Sequence, residues 1–269
     1  MMYLKTDSAI GRSLDVYGEW CEHELQVLGR LISTGDWVLD VGANIGTHTV
    51  FFARAVGRKG RVVAIEPQST VQHVLHANIA LNDFENVRVV AAACGAERGK
   101  VRAPVFALGD KRNVGGYSLS AVGSSTESVD VVTVDSLKLK RCHLIKIDVE
   151  GAEQDVLQGA HATIARLRPL LWVENNDEAQ SASLISRLRA LGYALHWHFD
   201  TRFNPRNFRG AAENIFAKAR RPSSNLLCVP VEESDRWREV TDTLLDVAES
   251  ETTIAAEWAR WQQEHSVHV

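Results

Sequence analysis

From residue 37 onward, short runs rich in Val, Ile and Leu alternate with stretches of helical periodicity, the order produced by βαβ units around a mostly parallel sheet. Strands are expected at 37–41 (WVLDV), 61–66 (RVVAIE), 87–93, 144–148 and 170–174. Helices are expected at 45–56, 69–81, 152–167 and 178–191. Gly57 and Gly60 stop the first of these helices, and Pro67 marks a break just beyond the second strand. Two further strands, 193–199 and 225–229, complete seven. No helix is required between them, so they are expected to pair antiparallel. The fold class is α/β: a seven-stranded, mostly parallel sheet with helices on both faces.

Residues 95–125 break the alternation. This stretch is rich in Gly and Ser and too long for a plain connection, so it reads as an inserted hairpin or loop near the site, with a short β run at 129–134 after it. Residues 1–36 form an N-terminal helical or lid extension, 37–231 the main domain, and 232–269 a C-terminal extension that reads as helix to about residue 263.

Composition narrows the class. With 269 residues, 45% apolar and 24% charged, the chain is an ordinary globular protein able to bury one α/β core. No apolar run approaches the ~20 residues of a bilayer span, and the start, MMYLKTDSAIGRSLD, carries no secretory h-region; no membrane insertion and a cytoplasmic location are expected. Cys21, Cys94, Cys142 and Cys228 form no C-x-x-C pair, so they read as buried thiols. A net charge of -4 without a Lys/Arg cluster argues against nucleic acid as a partner. Small or glycan-like molecules fit better.

The strongest local signal is Asp40-Val41-Gly42-Ala43-Asn44-Ile45-Gly46, between the first strand and the first helix. Gly42 permits a sharp turn and close approach of backbone to a ligand, and the helix N-terminus beyond it presents unpaired N–H groups. The spacing is G-x-x-x-G, not the dinucleotide G-x-G-x-x-G, and no phosphate-loop Gly-Lys-Ser/Thr follows. Glu66 ends the second strand about 20 residues on, where a carboxylate accepts hydrogen bonds from ribose hydroxyls. Asp40 either orients the loop or contacts the ligand's amino group.

VLDVGANIGTHT, VVAIEP, LIKIDVEGAEQDVLQGA and LWVEN resemble, in order and spacing, the FkbM-type S-adenosylmethionine-dependent methyltransferases over about residues 37–175. ENIF and NLLCVP look like versions of that family found among glycan-modifying genes. The resemblance implies the class I methyltransferase Rossmann-like fold, S-adenosyl-L-methionine as cofactor, residues 37–231 as the catalytic domain, and methylation of an oxygen. The favoured acceptor is a hydroxyl of a sugar, glycan or glycosylated or polyketide natural product. By position, Gly42, Ala43, Asn44 and Gly46 would hold the methionine end, Glu66 the ribose, and Ala93 and Cys94 would lie near the adenine.

Methyl transfer from a sulfonium is an in-line displacement, so the protein must align the acceptor and remove its proton. Asp148 at the end of the fourth strand and Glu174 at the end of the fifth can converge on one pocket, with Glu150 and Glu153 close behind. Asp148, Glu174 and Asn175 resemble the magnesium sites of some hydroxyl-directed methyltransferases, and hard oxygen ligands suit Mg²⁺. Helix capping or direct hydrogen bonds to substrate explain the same residues without a metal. His196 and His198 share one strand face, and His198 is the candidate general base, against a structural role. Lys146, on the strand face of Asp148, reads as its ion-pair partner. Tyr17, Tyr117 and the loop at 204–214 are candidate acceptor walls. Trp237, Trp258 and Trp261 mark core packing, an acceptor wall or a homodimer contact. Two rival functions use a similar turn: an NAD(P)-dependent oxidoreductase and a non-catalytic cofactor-binding regulatory domain.

Overall fold

Eight strands hydrogen-bond into one sheet in the computed structural model, which describes residues 1–105, 126–219, 221–248 and 253–264. Helices α1 (Ile10–Val16) and α2 (Glu22–Leu31) lead into β1 (Trp37–Val41), α3 (Thr47–Val56), β2 (Arg61–Ile65), α4 (Ser69–Ala80) and β3 (Val87–Val90). Three strands of a small separate sheet follow: β4 (Ala93–Cys94), β5 (Gly99–Pro104) and β6 (Thr126–Val132). The chain then forms β7 (Leu144–Ile147), α5 (Glu153–Gly159), α6 (His161–Leu167), β8 (Leu170–Glu174), α7 (Glu178–Ala190), β9 (Tyr193–Asp200) and β10 (Ser223–Pro230). It ends with α8 (Ser234–Thr241), β11 (Leu245–Asp246) and α9 (Ile254–Glu264).

The main sheet runs β11-β9-β10-β8-β7-β1-β2-β3. The β3, β2, β1, β7 and β8 pairings are parallel, whereas β10 lies antiparallel between β8 and β9. The polar segment between β9 and β10 contains no helix that would carry the chain back across the sheet, so β10 returns in the opposite direction. Alternate residues of the central strands enter different cores. Val38, Val62 and Leu144 pack with Phe52 and Val56 of α3, while Leu39, Val63 and Ile145 pack with Val156, Ile164 and Leu184 on the other face. These strands are buried on both sides, which is why they read as nearly continuous apolar runs.

Four expectations change. The sheet has eight strands, not seven, because the expected helix at 232–263 is interrupted. The hydroxyls of Thr241 and Thr243 donate to Arg238 O and Val240 O, and Leu245–Asp246 then adds to the edge of β9, with Asp246 paired to His196 at 2.6 Å. The expected helix at 152–167 is two helices: the Asp135 carboxylate accepts from Ala162 N and Thr163 N, so α6 begins as a capped helix of its own. Helix α3 starts at Thr47, since Asn44 (φ 49°) and Gly46 (φ 91°) are left-handed. The third strand stops at Val90, and Ala93–Cys94 joins the small sheet instead. In the inserted stretch, Gly99–Pro104 and Thr126–Val132 pair antiparallel; Tyr117 lies outside the described residues.

Candidate active site

The carboxyl ends of β1, β2, β7 and β8 open onto a cavity of about 470 Å³, within the range of small-molecule sites. β1 lies where the chain order reverses, between β2 on one side and β7 on the other, the usual ligand position in open α/β sheets. Glu66 follows β2 and Glu174 ends β8, three strand positions apart. At about 4.8 Å per strand this is roughly 14 Å, so the cavity has two distinct ends.

At the first end, Gly42 (φ 82°) turns the chain out of β1. A Cβ there would lie 1.8 Å from the Asp148 carbonyl oxygen, so the β1 and β7 loops touch backbone to backbone. Gly42, Ala43 and Asn44 line the cavity. Gly46 does not; it makes the turn into α3 and faces Leu75. The buried Glu66 carboxylate accepts from Asn44 N and Gln68 N, both at 2.9 Å. Burial pushes its pKa up to about 7, against the pull of those two N–H groups. Ala92, Ala93 and Cys94 form the adjacent apolar wall, and the buried Oε1 of Gln68 has no hydrogen-bond partner among the described residues.

Asp40 stands beneath this floor and not in its wall: it is 0% exposed, accepts the Thr49 hydroxyl at 2.6 Å, and lies 3.8 Å from Lys146 Nζ. Through these contacts it ties the start of α3 to β7 below the glycine turn. Lys146 donates to Asp148 at 3.0 Å, the pair expected from their shared strand face. Burial works against its charge, but Asp148, Asp40 and Glu24 outweigh that and hold its pKa above the ordinary lysine value.

Asp148, Glu150 and Glu174 meet at the second end, their carboxylate oxygens within 4.8 Å of one another. Burial, then the charges of Asp148 and Glu153, raise Glu150 to about 7; burial and the charges of Asp148, Glu150 and Glu153 raise Glu174 well above the carboxylate range. Glu150 and Glu174 are thus the two groups of this wall whose burial among like charges favours the protonated form. The three carboxyl groups are the set able to take a hard cation, but without Asn175, which is turned away: its Nδ2 donates to Ser181 and its carbonyl accepts from Ser224. Asn176 lines the cavity in its place and donates to Glu174. His198 is also off the wall. It sits one strand beyond the cavity-lining Asn225, against Trp172, with burial lowering its pKa.

Several cavity residues carry no local sequence signal: Trp20, Cys21 and Glu24 from the N-terminal segment, Arg202 and Phe216 from the β9–β10 connection, and Asn225. His48 carries a signal of position alone, two residues past the glycine turn. Its Nε2 is 3.0 Å from Glu24 Oε1, both residues buried. Burial opposes the charge on Glu24, but His48 more than compensates and holds it down at about 2. A second cluster, Cys21, Glu24 and Asp200, adjoins this pair; burial and the charges of Asp200 and Glu24 keep the Cys21 thiol protonated.

The N-terminal segment and residues 201–219 are laced into one roof. Glu19 accepts from Asn204 Nδ2 and Phe208 N, both at 3.0 Å, while the Tyr17 hydroxyl donates to Glu213 O and accepts from Ile215 N. Tyr17 is thus a buried fastener, and Trp20 with Phe216, ring centroids 6.2 Å apart, supplies the aromatic wall. Trp258 and Trp261 stack and pack against Phe199 in the core.

The methyltransferase FkbM domain family model matches residues 40–195. The chain is 29% identical over 199 residues to the AMB antimetabolite synthetase AmbE of Pseudomonas aeruginosa, covering 60% of this chain and 9% of that protein. It is 26% identical over 144 residues to Methyltransferase 1 of Beauveria bassiana, covering 46% and 57%. The chain thus spans only part of the curated relatives it matches. A solved methyltransferase FkbM from Methylobacillus flagellatus KT superposes with a TM-score of 0.50 at 20% identity, covering 74% of this chain and 45% of the other, a likeness of fold.

Proposed function

Since the chain belongs to the FkbM methyltransferase family, we propose that its cavity binds S-adenosyl-L-methionine and methylates a hydroxyl of a sugar or of a glycosylated or polyketide natural product. The nicotinamide alternative falls with that membership. The observation that carries the cofactor reading is Glu66: a buried carboxylate at the end of β2, on the cavity wall, beside the glycine turn. The residues fit the cofactor's parts. Glu66 and the unpartnered Gln68 Oε1 offer acceptors to ribose hydroxyls, Ala92 to Cys94 an apolar surface to a base, and the Gly42–Asn44 turn room for the methionine end. When bound, the cofactor supplies a methyl group on a positively charged sulfur, and the carboxyl groups of Asp148, Glu150 and Glu174 stand at the other end of the cavity from the ribose acceptors.

The acceptor class rests on what surrounds the second end. Trp20, packed beside Ile45, Val71 and Val74, and Phe216 offer flat apolar faces from the roof, while Asn176, Asn225, Asp148 and Glu174 offer donors and acceptors, the combination that grips a ring bearing hydroxyl groups. The buried Nδ2 of Asn225 has no protein partner. The name of the Pseudomonas relative, an antimetabolite synthetase, points to small-molecule biosynthesis in the same way. Mg²⁺ is not needed for this grip, because Lys146 already sets a cation beside Asp148.

The test is calorimetric titration of the protein with S-adenosylhomocysteine, with NAD in parallel, for wild type and Glu66→Ala. Binding that weakens at least tenfold in the variant is expected, given about 1.5–3 kcal/mol for hydrogen bonds to a charged group. Selective NAD binding, or no effect of the variant, overturns the cofactor assignment. An acceptor screen with radiolabelled S-adenosylmethionine, with and without Mg²⁺, then tests the hydroxyl reading; methylation only of amines would refute it.

A further inference from the structure

We propose that His48 is the general base that takes the acceptor's proton, with Glu24 as the residue that positions it. The proposal rests on the hydroxyl-acceptor reading above. Three observations carry it. His48 lines the cavity on the first turn of α3, directly past the glycine turn, and Glu24 lines it from α2. Their side chains are 8% and 5% exposed and meet at 3.0 Å through His48 Nε2. His198, the histidine singled out by its strand alternation, lies behind the cavity wall.

The chemistry follows from which nitrogen is engaged. Glu24 is held ionised by His48 against its own burial, so the shared proton resides on Nε2, and Nε2–H donates to the carboxylate. Nδ1 is then the basic nitrogen, and the hydrogen bond that His48 makes among the described residues runs through Nε2. A carboxylate that fixes the tautomer of an imidazole and stabilises its cation is the arrangement used for general bases with hydroxyl substrates. The other titratable and charged groups facing the pair are Cys21 just before α2, Lys146 and Asp148 from β7, and His198 and Asp200 from β9. Lys146, permanently charged beside Asp148 and Asp40, is unsuited to the same task.

In the step itself the acceptor oxygen bonds to the methyl carbon as the carbon–sulfur bond breaks. The bonding pair stays on sulfur, which becomes a neutral thioether, and the hydroxyl proton passes to Nδ1. Positive charge thereby moves from sulfur to the imidazole, where Glu24 faces it. The net charge of the site is unchanged, so no ion has to be expelled before the methylated product leaves.

The test compares wild type, His48→Gln and Glu24→Gln in the full chain. In ¹⁵N-histidine-labelled protein saturated with S-adenosylhomocysteine, the His48 signal, assigned by its loss in His48→Gln, should show the proton on Nε2. In Glu24→Gln that preference should disappear. With radiolabelled S-adenosylmethionine and a set of methyl glycosides as hydroxyl probes, His48→Gln should lower kcat by about 10²- to 10³-fold. Its acceptor KM and S-adenosylhomocysteine affinity should stay within about threefold of wild type. Glu24→Gln should move the acidic limb of the kcat/KM profile to lower pH, which a merely structural contact would not do. If Glu24→Gln fails to fold, Glu24→Asp, which keeps the charge at shorter reach, carries the same comparison. A proton found on Nδ1 overturns the proposal, as does a His48→Gln that loses cofactor affinity tenfold with kcat intact, which would make His48 a cofactor contact. If no glycoside is methylated, the sugar-acceptor reading fails, and the tautomer measurement alone then decides the state of His48.

Discussion

Replacing Lys146 by Met should cost this protein about 3–5 kcal/mol at pH 7.5, the penalty for leaving a buried charge without its partner. The loss falls mainly on Asp40. Asp148 has 36% of its side chain exposed and can be hydrated when its lysine is gone, whereas Asp40 is fully buried. One Asp40 oxygen takes the Thr49 hydroxyl, and the other has only Lys146, at 3.8 Å. Methionine fills much of the lysine volume, so cavity formation adds little. Against a typical domain stability of about 5–15 kcal/mol, the variant would fold marginally. In wild type the lysine's pKa is raised above 10.5, so its contribution is complete below that pH and is lost only in strong alkali. In the variant the sign reverses. A carboxyl with its cation removed titrates higher in the folded than in the unfolded state, so the penalty is absent below about pH 4 and grows as the pH rises. Urea unfolding followed by far-ultraviolet circular dichroism at pH 5 and 7.5 measures both points. Adding Asp40→Asn should recover most of the loss, since a polar amide needs no counter-charge. A loss under 1 kcal/mol, equal losses at both pH values, or no recovery in the double variant would refute the reasoning.

Gly42→Ala should destabilise by about 2–5 kcal/mol by urea unfolding, combining left-handed strain of about 1–2 with overpacking of about 1–3 against the Asp148 carbonyl. Glu66, raised to about 7 by burial, binds its proton more tightly folded than unfolded, so ligand-free stability should fall between about pH 4.5 and 7; Glu66→Gln should flatten that slope in paired urea titrations. Tyr17→Phe keeps the buried ring but removes the bonds to Glu213 and Ile215, a loss of about 1–3 kcal/mol that thermal unfolding will register. Asn176→Ala, which removes the amide donating to Glu174 at the second end, should raise the acceptor KM severalfold in steady-state assays while leaving S-adenosylhomocysteine affinity unchanged.

The parallel half of the sheet is legible in the sequence because its strands are buried on both faces and punctuated by Gly and Pro, a pattern local enough to read residue by residue. The places of the glycine turn, Glu66, Asp148 and Glu174 on the cavity wall are legible for the same reason: each lies at a strand end, and strand ends in such sheets face ligands. Other features depend on partners remote in sequence. The break in the expected C-terminal helix needs β9 as a template for Leu245–Asp246, and the split of α5 from α6 needs the Asp135 carboxylate. Alternation placed His196 and His198 on one face but could not tell whether that face meets the cavity; Asn225, inserted by an antiparallel strand, takes the position at the wall. The partner of His48 lies 24 residues away on a helix with no motif. Asn175 and Asn176 are neighbours with opposite orientations, a distinction fixed by Ser181 and Ser224.

The contact of the Gly42 turn with the Asp148 carbonyl also bears on how the protein emerges from the ribosome. Strand β1 is made early but acquires β7 only after about a hundred further residues, the roof must wait for Phe216, and the wall for Asn225. At about 5–20 residues per second, the glycine turn stands for several seconds or more without the neighbour that shapes it. Cofactor affinity should therefore arise late and abruptly during synthesis, and chains stalled before residue 144 should present the open edge of β1 beside the glycine turn.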